Sequence, residues 1–119
     1  MNSVNLIGNL ATEVELREVG DDQKKVASFL LAVSRGSRDA GADFVWVSAW
    51  ERQGELCSEY LAKGNRVGVI GRLKTRTWEQ DGRRRDAVEV VAQRVEFLSA
   101  PARDEFGAEV MPFETAATA

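Results

Sequence analysis

Three large aromatic residues recur at even spacing in the stretch DFVWVSAW: Phe44, Trp46 and Trp50. In an extended chain successive side chains point to opposite faces, so these three share one face while Val45, Val47 and Ala49 share the other. The small aliphatic set suits a core. The aromatic set offers flat π surfaces on which nucleobases can stack, each stack being worth roughly 1–3 kcal/mol with no demand on base identity. Taken alone, this strand is equally compatible with a core on both faces. A second stretch, RLKTRTW, is more selective. Arg72, Lys74, Arg76 and Trp78 alternate with Leu73, Thr75 and Thr77, and the second set, with Gly71, continues an inward row begun by Val67 and Val69. A face with three cations cannot be core, because burying unpaired charge is too costly. Such a face can hold phosphates on its cations and a base on its indole. The plainer alternative is a solvated strand whose Trp is covered by the stems of its neighbours.

Other cations extend this surface. Arg83, Arg84 and Arg85 follow Asp81-Gly82 in a polar segment that reads as a loop over 79–86, and Arg35 and Arg38 lie in another polar loop at 35–43. The net charge of −3 hides this distribution. Asp104, Glu105, Glu109 and Glu114 against Arg103 place all of it in residues 100–119, so the preceding part is neutral. Within residues 63–85 eight basic residues stand against Glu79 and Asp81, a local charge of +6. Binding of polyanions follows this local field rather than the total.

Several chemistries are excluded. The chain has no histidine, which removes His-based zinc sites and His-dependent triads. No Walker loop, dinucleotide-binding glycine pattern or GxSxG elbow is present. Glu13, Glu15, Asp21 and Asp22 are acidic neighbours without a further ligand at metal-binding spacing. No enzyme activity, cofactor or metal is therefore expected. Cys57 is the single cysteine, which forbids an intrachain disulfide, suits a reducing cytoplasm and reads as a small core residue on an apolar helix face. No apolar run is long enough to cross a membrane, and the N-terminal residues carry no signal-peptide pattern.

The elements that must position these residues follow from period and turn residues. Residues 3–10 read as a first strand interrupted by Gly8, with 13–19 either extending it or forming an irregular strand. GDDQKK at 20–25 is a turn, VASFLLAVS at 26–34 a strand buried on both sides, and 43–50 the aromatic strand. Residues 52–62 switch to a helical period, with Leu56, Cys57, Tyr60 and Leu61 on one face and Gly64 as a stop. Strands follow at 65–78 and 86–98. Beyond Pro101 the periodic apolar pattern ends, so 1–100 reads as one domain and 101–119 as a flexible acidic tail. Glycines inside strands, Gly8, Gly68 and Gly71, mark bulges or bends where a sheet curls. Three strands, a helix and two strands in a curled sheet match an all-β OB-fold. This is a five-stranded Greek-key barrel with one helix between strands 3 and 4, an architecture that often binds oligonucleotides.

The pieces MNSVNLIGNLATEVELR, VASFLLAVSR, DFVWVSAW, CSEYLAKGNRVGVIGRLKTRTW and DGRRRDAVEVVAQRVEFL run in order over residues 1 to about 99. In them the chain resembles the bacterial single-stranded DNA-binding protein family. The resemblance implies an OB-fold that assembles as a homotetramer around which single-stranded DNA wraps, with no cofactor and no catalysis. It also implies a cytoplasmic, nucleoid-associated protein of replication, recombination or repair, whose first strand pairs between subunits. It places stacking aromatics at Phe44, Trp50 and Trp78 and basic residues of the DNA path at Arg17, Arg52, Lys63, Lys74 and Arg76.

Three departures stand out. Ser37 replaces an aromatic common in that loop, and Trp46 stands where the family commonly has Arg. The tail has Met-Pro-Phe, but Phe113 is six residues from the last residue of this sequence, so the family's route to replication and repair partners through a terminal Phe is atypical here. An acidic tail is expected to compete with DNA for the basic groove. The rival expectation is an OB-fold adaptor of the primosomal kind, which oligomerises and buries its aromatics against protein. An RNA-binding OB module is a further alternative.

Overall fold

In the computed structural model, which describes residues 1–37 and 40–99, six strands form one sheet that closes on itself. Arg38 and the segment 100–119, including Phe113, lie outside the described residues. The elements are β1 (Val4–Leu10), β2 (Glu15–Val19), β3 (Lys24–Ser34), β4 (Ala42–Trp50), α1 (Glu51–Tyr60), β5 (Arg66–Gln80) and β6 (Arg83–Phe97). Neighbours run β1-β5-β6-β4-β3-β2, and a further β1–β3 pairing completes the ring. All pairs are antiparallel except β4–β6.

The segment 13–19 proves to be a strand of its own. β1 meets β3 only at Asn9 and Leu10, and β2 then takes over the same partner from Glu15 to Val19. The two are halves of one bent strand, and counted so the ring is the five-stranded OB barrel with its helix between the third and fourth strands. Gly8 lies inside β1, just before it reaches β3, where a Cβ would run into the Ala32 carbonyl oxygen. Gly71 plays the same part on β5. The ladder shifts register between Ile70 and Gly71, and a Cβ there would run into the Val91 carbonyl oxygen. Gly68, expected to mark a bend as well, has ordinary space around it.

Alternation decides what each strand buries. Ala27, Phe29 and Leu31 of β3, Val47 and Ala49 of β4, Val67 and Val69 of β5, and Val90 of β6 point inward and are almost completely buried. Phe29 is the largest of them, and its truncation to Ala costs about 3–5 kcal/mol for a side chain so enclosed. The other face of β3 is less enclosed than expected, with Ser28 and Leu30 half-buried. Helix α1 supplies Cys57 to the core, followed by Leu61. Burial pushes the Cys57 thiol up to about 11, so it stays neutral at ordinary pH. The helix ends earlier than its sequence suggests. Its C-cap is Leu61, whose N–H bonds the Cys57 carbonyl, and Gly64, with φ of 95°, serves the turn leading into β5. Tyr60 departs from the predicted buried face. It is exposed, with its ring 6.4 Å from that of Phe97.

Candidate nucleic-acid interface

Strand β4 positions its aromatics as alternation requires. Phe44 is 61% exposed and Trp46 49%, while Val47 and Ala49 behind them are sealed in the core. Trp50 is half-buried, at the point where β4 turns into α1. Ser48, on the same face between the two tryptophans, is nearly buried.

Strands β5 and β6 continue past the barrel as a long two-stranded arm. Their ladder extends without a break from Gly71 opposite Ala92 to Gln80 opposite Arg83. Asp81 and Gly82 close it with φ of 54° and 75°, the positive pair that a two-residue hairpin turn of matching twist needs. This corrects two expectations. The row Leu73, Thr75 and Thr77 does not continue the core but is exposed, because β1 pairs with β5 only as far as Gly71. The arginines 83–85 lie on a strand, not in a loop, so they divide between the faces. Arg85 stands opposite Trp78 and Arg83 opposite Gln80, on the face of Arg72, Lys74 and Arg76. Arg84 points the other way and pairs with Asp86 at 3.5 Å, whose carboxylate also accepts from the Thr77 hydroxyl at 2.9 Å.

The register joins arm and barrel into one surface. Lys74, Glu89, Trp46 and Leu30 form a row across β5, β6, β4 and β3. The next row runs Arg72, Val91, Ser48, Ser28 and Glu15, reaching β2. A shallow groove crosses these rows between Arg17, Trp46, Ser48, Arg76 and Glu89. Arg72, Lys74, Arg83 and Arg85 are exposed and have no ion-pair partner among the described residues. Arg76 differs. Its Nε forms an ion pair with Glu89 at 2.8 Å, and its guanidinium carbon lies 5.4 Å from the centre of the Trp78 ring. Trp78 is itself 41% exposed.

The remaining candidates are scattered. Arg17 borders the groove from β2. Arg35 is tied to its own loop, bonding Asp43 at 2.9 Å and the Ala40 carbonyl at 3.2 Å. Arg52 is exposed on the first turn of α1, 3.9 Å from Glu55. There Glu55 also pairs with Lys25 at 2.9 Å, a hydrogen-bonded contact that lowers the carboxyl and raises the amine. Lys63 lies in the turn before β5, at the end remote from the arm. Sequence reasoning missed Ser48 and Glu89. Ser48 could have been found as the odd residue between two tryptophans on one face, but Glu89 meets Trp46 only through the β4–β6 register. Among the described residues, no three His, Cys, Asp or Glu side chains gather as metal ligands, and no helix is long and apolar enough to cross a membrane.

The profile of the single-strand binding protein family matches residues 1–98. Curated relatives agree. A single-stranded DNA-binding protein 3 of Clostridium acetobutylicum is 42% identical over 102 residues, covering 82% of this chain and 71% of the relative. Single-stranded DNA-binding proteins of Clostridium tetani and Bacillus cereus are 42% and 43% identical, each over 82% of this chain and over 70% and 60% of the relative. With an OB barrel and a family profile spanning nearly all described residues, this chain belongs to the single-strand binding protein family.

Proposed function

We propose that this chain binds single-stranded DNA without regard to sequence, as a non-catalytic protein of replication, recombination or repair at the cytoplasmic nucleoid. The observation that carries the proposal is one continuous outer sheet face on which Phe44, Trp46 and Trp78 are exposed beside four cations with no ion-pair partner among the described residues. Bases stack on Phe44, Trp46, Trp50 and Trp78. Arg72, Lys74, Arg83, Arg85 and Arg17 neutralise phosphates along the same path, an arrangement that suits a flexible single strand with its bases turned out. Arg52, Lys63 and Arg35 extend the path only at its margins.

The chain also has a surface for a second copy of itself. Ile7 and Ile70 are exposed on the outer face of β1 and β5, where Asn5 stands opposite Ile70 and Ile7 opposite Gly68. The free edge of β1 from Val4 to Gly8 has no strand partner among the described residues. An apolar strand edge of this kind invites pairing, and assembly as a homotetramer follows from it in this proposal.

Trp78→Ala tests the site. A labelled oligo(dT) should bind the variant about 5- to 150-fold more weakly, the loss of one stack. Affinity unchanged by this substitution contradicts stacking on the arm and favours an adaptor whose aromatics meet protein.

A further inference from the structure

An acidic side chain stands in the middle of a face proposed to meet a polyanion. Glu89 is held at both oxygens: the Ser48 hydroxyl donates to one at 2.9 Å, and the other forms an ion pair with Arg76 Nε at 2.8 Å. Its side chain is only 15% exposed, next to Trp46 across the β4–β6 register. Releasing Arg76 to a phosphate would leave this carboxylate shielded from water with a single hydroxyl for company, which is strongly unfavourable. The ion pair is therefore kept, and as a unit it carries no net charge. Two residues further along β5, the same guanidinium lies over the ring of Trp78. Its grip restricts the indole and occupies one of its faces, leaving the other for a base.

We infer that Glu89 is a positioning residue: braced by Ser48, it holds Arg76 against Trp78 and removes Arg76 from the set of cations that neutralise phosphate. This inference rests on the proposed binding of single strands. It separates two neighbouring cations of one strand, since Lys74 is free to meet phosphate and Arg76 is not.

The test is the salt dependence of oligo(dT) affinity, which for single strands falls with a log–log slope of about −0.7 per phosphate neutralised. Arg76→Gln should weaken binding about 2- to 5-fold by loosening Trp78, with the slope unchanged, and Arg76→Gln combined with Glu89→Gln, which leaves no unpaired carboxylate, should do the same. Glu89→Gln frees Arg76 and should steepen the slope by about 0.7. Fluorine NMR of protein labelled with 5-fluorotryptophan reports the indole directly, with the Trp78 resonance assigned by Trp78→Phe. That resonance should move in both variants before DNA is added. A slope shallower by about 0.7 in Arg76→Gln makes Arg76 a phosphate contact and overturns the inference, as does a Trp78 resonance that stays in place. Should Glu89→Gln lose the circular dichroism of the barrel, Arg76→Gln, on the exposed arm, decides alone. Failure of the unsubstituted protein to bind oligo(dT) overturns the binding proposal itself, and the inference with it.

Discussion

A single side chain on this surface does different work according to which face its strand position selects. Arg84 and Arg85 are adjacent and chemically identical, yet Arg85 stands beside Trp78 while Arg84 faces away and pairs with Asp86. Arg85→Ala should therefore make the salt slope of oligo(dT) binding shallower by about 0.7, whereas Arg84→Ala should leave it unchanged. Salt titrations of the two variants in parallel check this, and equal effects would contradict the proposed face. The acidic residue Glu89 makes the same point in reverse. Its charge alone argues against a DNA path, and only its partners, Ser48 and Arg76, give it a place there.

At the scale of elements, the strands that carry the aromatics were legible because a period of two is written directly in their residue types. DFVWVSAW sends Val47 and Ala49 into the core and Phe44 and Trp46 outward, and RLKTRTW puts its cations and Trp78 on one face, as the alternation of types implies. What was not legible depended on where one element stops. The β1–β5 pairing ends at Gly71, so Leu73, Thr75 and Thr77 keep the parity of the core row but not its burial. The polar run EQDGRRR contains enough turn-forming residues to suggest a loop. The positive φ of Asp81 and Gly82 compresses the turn to two residues, which returns three arginines to a strand. The bend between β1 and β2 was similarly ambiguous, since only pairing with β3 shows that the two halves share a partner. Tyr60 shows the limit of helical periodicity: it falls on the apolar face by spacing, but its helix ends there and the ring turns out beside Phe97.

For the whole molecule, two regions of the outer sheet surface stand out. The β4, β5 and β6 face carries aromatics and cations, and the β1–β5 face carries Ile7 and Ile70. If the second surface is where copies meet, Ile7→Asp should reduce the sedimenting mass towards that of a single 13.1 kDa chain. A mass unchanged from that of the unsubstituted protein would place the contact elsewhere. The first surface holds the central claim, and the net charge of −3 gives no hint of it because the acids of residues 100–119 outweigh a neutral remainder. The most direct measurement is a titration of the full chain with oligo(dT), followed by tryptophan fluorescence at low and high salt, with a duplex of equal length as control. Strong quenching by the single strand, little by the duplex, and weaker binding as salt rises is the predicted result, since stacking and phosphate contact then act on one face. Absence of quenching by oligo(dT) at low salt would contradict it, and Trp46 and Trp78 would have to serve a partner other than bases.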